Sequence, residues 1–253
     1  MQPTSNMERP PSLSCVTVGH GPTVLLLGAF GMEPRTYLPP ARLLSDRVRV
    51  VIPDLFALGR WWQWWSFEHV LDCLAFTIDD FGADRVSLVG HSFGGGLELG
   101  LAARWPDRVV ECVFVDTLGV TRRFSLAREA VGPIGILRTA TRTAAVSFLR
   151  SGAAHPVQLA SAGLDGYLSN RGTDIDAVAQ AGVPCHVLWA ARDEILSRRD
   201  GEEFAKRLNA TFTVPERPPG AGPIDHDWVF DQPELFVKHL DKLDLRALSR
   251  STT

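Results

Sequence analysis

Val86-Ser87-Leu88-Val89-Gly90-His91-Ser92-Phe93-Gly94-Gly95-Gly96 reads as an apolar strand that runs into a glycine turn, with a helix starting directly after the serine. The stretch contains Gly-x-Ser-x-Gly, a pattern that chance produces often and that gains meaning from its placement between a buried strand and a helix. To lift the Ser92 hydroxyl above a sheet edge, the chain must turn sharply through a strained backbone conformation, and side chains at positions 90 and 94 would collide across that turn. Gly95 and Gly96 are expected to let the helix approach its neighbouring strands closely. The helix is expected to run over Ser92–Trp105 and to stop before Pro106. A plainer reading keeps Ser92 as a helix cap within a glycine-rich turn.

Outward from this point, short β-branched apolar runs recur at Ser14–Val18, Thr23–Leu27, Val48–Pro53, Arg85–Gly90, Val109–Val115, Pro184–Trp189 and Ala210–Val214. Several are apolar on consecutive positions, the mark of central strands covered on both faces. Helical patterns lie between them at Pro34–Ser45, Phe67–Phe81, Arg198–Leu208 and Pro233–Leu243. Strand and helix alternating in this way predict an α/β fold with a mostly parallel sheet flanked by helices. The rhythm breaks from about Gly119 to Gly182, where Phe124–Ala130, Ile136–Arg150 and Val157–Leu168 suggest short helices separated by glycines and prolines. We therefore expect a core of residues 13–118 and 183–245, a helical cap insertion over 119–182, and flexible termini at 1–12 and 246–253.

A serine hydroxyl is a poor nucleophile until a base takes its proton, and the base needs a partner that holds its tautomer. Asp193 lies just beyond the apolar run Pro184–Trp189, and His226 falls on a Pro/Gly-rich loop after Ala210–Val214, at the carboxyl edge of the sheet where open α/β folds bind ligands. Glu194 and Asp116 are the other candidates for the acid. Asp225 and Asp227 flank His226, but sequence neighbours rarely reach the far ring nitrogen. His20, His91 and His186 read as structural histidines, and no group has metal-ligand spacing with a third ligand, so no metal is expected.

The stretch from Leu13 to Leu243 resembles the α/β-hydrolase superfamily, in particular its compact bacterial members with a helical cap. The resemblance rests on Gly90-His91-Ser92-Phe93-Gly94-Gly95, on Arg192-Asp193, and on His226-Asp227-Trp228 followed by Gln232-Pro233-Glu234-Leu235-Phe236. It implies Ser92, Asp193 and His226 as a catalytic triad. It also implies an oxyanion hole from the backbone N–H of Phe93 and that of Phe30, with no cofactor. Two positions depart from the family pattern. Gly28-Ala29 stands where His-Gly is usual, and Asp54-Leu55-Phe56-Ala57 where Asp-x-Pro-Gly is usual. A Cβ at Ala29 disfavours positive φ, and so bears on how the Phe30 donor is aimed.

The expected chemistry is serine hydrolysis of a carboxylic ester, thioester or lactone. A lyase or cyclase on the same fold is the alternative, permitted by the altered Gly28-Ala29 segment. The run Trp61-Trp62-Gln63-Trp64-Trp65 would place Trp61, Trp64 and Trp65 on one face of a helix. With Trp228 these tryptophans are expected to wall an apolar small-molecule pocket, or else to pack the cap onto the core. A formal net charge of −3 supplies no cationic surface for nucleic acid or anionic membrane. No run approaches the roughly 18 apolar residues of a spanning helix. Met1–Ser12 has no apolar segment of a secretory signal, and the widely spaced Cys15, Cys73, Cys112 and Cys185 read as reduced packing thiols, so the cytoplasm is the expected location.

Overall fold

The computed structural model describes residues 11–58, 62–118, 141–168, 171–243 and 245–249. Seven strands form one sheet: β1 (Cys15–Val18), β2 (Thr23–Leu27), β3 (Arg49–Pro53), β4 (Val86–His91), β5 (Val109–Val115), β6 (Cys185–Leu188) and β7 (Thr211–Thr213). Their order is β1-β3-β2-β4-β5-β6-β7. Only the β1–β3 pairing is antiparallel; each of the others is parallel. The chain therefore crosses from one half of the sheet to the other between β2 and β4, and a ligand crevice forms at the carboxyl ends of strands beside such a reversal. Val24-Leu25-Leu26-Leu27 and Leu88-Val89 are buried on both faces, as unbroken apolar runs require.

Helices cover both faces. They are α1 (Leu38–Leu44), preceded by a 3₁₀ turn over Pro34–Tyr37, then α2 (Phe67–Asp80), α3 (Phe93–Arg104), α4 (Arg142–Ala154) and α5 (Pro156–Leu168). After these come α6 (Gly172–Ala181), α7 (Arg198–Leu208), the single turn α8 (Trp228–Asp231), α9 (Pro233–Lys242) and the short α10 (Arg246–Ser249). Ser66 caps α2 by accepting from the His69 N–H, and Val70, Leu71, Leu74 and Ile78 repeat at helical spacing on its buried face. One apolar cluster includes Leu25, Leu88, Leu97 and Phe114, while the other gathers Val24, Val50, Val89, Trp228 and Phe236.

The expected helix at Phe124–Ala130 lies outside the described residues. Within Ile136–Arg150 the described helix begins at Arg142, where Thr141 accepts from the Ala144 N–H as its cap. Of the terminus 246–253, expected to be flexible, residues 246–249 are described. They form α10, and the Arg246 N–H donates to the buried Glu111 carboxylate of β5 at 3.0 Å, which ties the chain back to the sheet. All four cysteines are free thiols, and three of them are buried.

Candidate active site

The turn at Ser92 carries the strain that its sequence demands. Ser92 has φ 53° and ψ −114°, a conformation that L residues rarely adopt, and the following residue opens α3. Its backbone is held on both sides: the Ser92 N–H donates to the Val115 carbonyl at 2.9 Å, and its own carbonyl accepts from Gly95 and Leu118. A Cβ at Gly94 would run into the Leu27 carbonyl, and one at Gly90 would stand 2.6 Å from the Gly95 Cα, so both glycines admit close backbone approach. Gly96 does not match its expected role, because a Cβ there would meet only ordinary contacts at 3.5 Å and beyond.

Ser92 Oγ lies 2.9 Å from His226 Nε2, and His226 Nδ1 lies 2.8 Å from Asp193 Oδ2. The three expected side chains thus converge, although 134 residues separate the hydroxyl from the imidazole. In the neutral imidazole Nδ1 carries the proton, because the facing carboxylate oxygen only accepts, and Nε2 is left to accept from Ser92. Asp193 is itself fixed: Oδ1 accepts from the Ile195 and Leu196 N–H groups at 2.8 Å each. Glu194, the neighbouring candidate, is exposed.

Burial is the largest influence on His226 and disfavours its cation, yet Asp193, by charge and hydrogen bond, with Asp116 and Asp227 behind it, outweighs burial and raises the pKa from 6.5 to about 9. Asp193 moves oppositely. Burial raises it, but the facing imidazole and the two backbone donors prevail and hold it below the usual carboxylate range.

Asp116 ends β5 in a left-handed conformation, φ 44°. It accepts from the Ala190 N–H at 2.6 Å and from the Trp228 indole N–H at 2.8 Å. Burial, and then the Asp193 charge, drive its pKa well upward. Its oxygens come within 4.8 Å of the ring nitrogens of His91 and His226, but the ligand atoms of all three are already engaged in hydrogen bonds. Trp228 is fully buried, packed edge-on against Phe236 and His239, so it braces Asp116 and cannot wall an open pocket as expected.

The tryptophan run divides. Trp61 lies outside the described residues, and 62–66 are not helical, so the expected shared helical face does not form there. Trp62 and Trp64 are 55% and 61% exposed, whereas Trp65 is fully buried. The Trp65 indole donates to the Leu55 carbonyl at 2.8 Å, its backbone N–H donates to Ser161 of α5 at 2.9 Å, and its ring lies 5.4 Å from that of Phe93. Trp65 therefore joins α5 to the core. The Phe67 N–H adds a second tie, to Asp165, at 2.9 Å.

Beside the nucleophile, Phe30 packs against Phe56, Phe93 and Phe148, with ring centroids 5.5 to 6.1 Å apart. The left-handed step of this loop falls on Gly31, φ 70°, and Ala29 is not among the residues of positive φ, so the Ala29 Cβ introduces no strain. Asp54 accepts from the Phe56 and Ala57 N–H groups at 3.1 Å, which closes the neighbouring turn without the usual Pro-Gly. The N–H groups of Phe30 and Phe93 have no acceptor among the described residues, and that of Phe93 sits at the positive end of α3.

Sequence reasoning left out Tyr37. It is one of only two tyrosines in the chain, fully buried, and its hydroxyl touches both Ala29 and His91. Its rarity and its position directly after the Phe30 loop were the signals available.

A mostly parallel sheet with a strained serine at the end of its central strand, facing an imidazole and a carboxylate from later loops, defines a class of α/β enzymes. The alpha/beta hydrolase family model matches residues 20–239, and the chain belongs to that family. It is 34% identical over 124 residues to a 2-hydroxy-6-oxo-2,4-heptadienoate hydrolase of Pseudomonas putida, covering 45% of this chain and 44% of that protein. It is 38% identical over 86 residues to the lipase LipV of Mycobacterium tuberculosis, covering 33% of each. These matches span less than half the length of either relative. A thermophilic esterase from Thermogutta terrifontis shares the fold over 94% of both chains, with a TM-score of 0.75 at 22% identity. Among the described residues no helix is long and apolar enough to cross a membrane.

Proposed function

We propose that this protein is a serine hydrolase that cleaves a carboxylic ester, thioester or lactone of a mainly apolar small molecule through an acyl-Ser92 intermediate. The observation that carries the reading is the unbroken relay Ser92–His226–Asp193 at 2.9 and 2.8 Å. His226 Nε2 takes the Ser92 proton as Oγ forms its bond to the substrate carbonyl carbon, and the carbonyl π pair moves onto oxygen. The Phe93 and Phe30 N–H groups receive that oxyanion. Asp193 holds the imidazolium until its Nε2 proton passes to the departing oxygen or sulfur, and the carbonyl re-forms as the acyl-enzyme. Water then repeats both steps in reverse roles, giving the acid and free Ser92.

The aromatic group of Phe30, Phe56, Phe93 and Phe148 beside the nucleophile supports an apolar acyl portion. The lipase among the relatives supports ester hydrolysis, and the heptadienoate hydrolase supports hydrolysis in the coarser sense. The lyase or cyclase alternative drew on the Gly28-Ala29 exchange, which the loop accommodates without strain. We assign α4 and α5 to the cap. Its boundary falls before Gly172, since α6 packs against α3 and α7 on the flank of the sheet. No metal, cofactor or nucleic acid takes part in the reaction as proposed.

Treating the protein with a fluorophosphonate tests the reading directly. Stoichiometric labelling mapped to Ser92, together with turnover of p-nitrophenyl esters that Ser92→Ala abolishes, is the expected result. Wild-type turnover in Ser92→Ala would overturn it.

A further inference from the structure

Behind the triad a second chain of hydrogen bonds joins the two halves of the site. The Ala29 N–H lies 2.7 Å from the Tyr37 hydroxyl, that hydroxyl 2.8 Å from His91 Nδ1, and His91 Nε2 2.8 Å from the backbone carbonyl of His226. The polarity of this chain follows from its ends. A carbonyl can only accept, so His91 Nε2 carries the proton and Nδ1 accepts. An amide N–H can only donate, so the Tyr37 oxygen accepts from Ala29 and its own hydrogen goes to His91. Each link has one orientation, and Tyr37, His91 and His226 are all buried, so no water competes for them.

The departure from the family pattern makes room for this arrangement. A Cβ at Gly28 would stand 2.7 Å from the Tyr37 ring, so a side chain there and Tyr37 in its present place exclude each other. Phe230 packs edge-on against both rings, 5.5 Å from Tyr37 and 6.1 Å from His91, and keeps them from turning away. His91 itself immediately precedes the nucleophile on β4.

We infer that Tyr37 and His91 are positioning residues that lock the Ala29–Phe30 loop and the His226 loop to one another, setting the second oxyanion donor and the general base in register around Ser92. The inference rests on the serine-hydrolase reading. Neither residue touches the reacting atoms: Tyr37 acts through Ala29, whose successor Phe30 supplies the donor, and His91 acts through the backbone of the base. A neutral His91 suits this duty, and burial, followed by the adjacent His226, lowers its pKa from 6.5 to about 3.

The test is saturable inactivation by a fluorophosphonate, which needs the base and the oxyanion donors but no knowledge of the natural substrate. Tyr37→Phe removes the acceptor for Ala29 and the donor to His91. It is expected to lower the maximal inactivation rate by roughly tenfold to a hundredfold, the scale of a small misplacement of reacting groups, with the half-saturating concentration within twofold of wild type. His91→Ala should fall at least as far, and His91→Gln, which keeps an N–H able to reach the His226 carbonyl, should recover part of the loss. Maximal rates within twofold of wild type in Tyr37→Phe and His91→Ala would overturn the inference, as would a lowered melting temperature with unchanged rates, which assigns the pair to packing alone. Should Tyr37→Phe not fold, the order of the two His91 variants decides. Absence of labelling at Ser92 in the wild type is a different failure, that of the serine-hydrolase reading itself, and it removes the inference with it.

Discussion

Replacing Asp193 by Asn removes a charge while keeping the volume, and it separates what the carboxylate does for geometry from what it does for the proton. With the His226 pKa raised from 6.5 to about 9, the imidazolium is favoured over the neutral base at pH 7. The kcat/KM of the wild type should therefore climb with pH through an apparent pKa well above 6.5. In Asp193→Asn the largest of the attractions that oppose burial is gone, leaving only Asp116 and Asp227. Burial then dominates, the limb moves to or below the ordinary imidazole value, and the plateau falls by roughly 10⁴-fold as the tautomer is lost. Stability follows the opposite course. A histidine whose folded pKa is raised contributes stability that is fully present below the unfolded value and is lost as pH rises through the folded one. The wild type should lose on the order of 3 kcal/mol between about pH 6.5 and 9, and the variant should not show that decline. Rates on a p-nitrophenyl ester from pH 5 to 10, with urea unfolding across the same range, measure both. An alkaline limb that stays in place in Asp193→Asn would refute the electrostatic account of the pair.

Other expectations follow from local features. Ser92 holds φ 53°, where glycine is unstrained and alanine is not, so Ser92→Gly should unfold at about 1 kcal/mol higher stability than Ser92→Ala, both being inactive; equal stabilities would deny backbone strain at the elbow. Trp65→Ala removes a fully buried ring and should cost about 3 to 5 kcal/mol in urea unfolding. Exposed Trp64, changed to Ala, should stay within about 0.5 kcal/mol of wild type. Asp116→Ala strands the Ala190 and Trp228 N–H donors in the interior and should destabilise by about 2 to 5 kcal/mol, seen as a lower midpoint, whereas a neutral midpoint would mean that water replaces the carboxyl.

The positions of the seven described strands were legible in short β-branched apolar runs, the central ones apolar at consecutive positions because they are covered on both faces, and their ends shifted by at most one residue. Ser92, Asp193 and His226 were legible as well, since chain order along an α/β sheet dictates which loops meet at its carboxyl edge. Burial in the tryptophan run was beyond reach. Four like residues in five positions carry no periodic signal that survives the loss of a helix, and only packing against Ser161 and Leu55 chose Trp65 for the interior. The same limit hid the Tyr37–His91 link and the use of Asp116, for each joins positions dozens of residues apart through single side-chain atoms. Hydrophobic pattern and turn chemistry are properties of neighbours along a chain, and they determined the architecture. The partner of a buried polar atom is a property of distance in space, and only the folded sheet decided it.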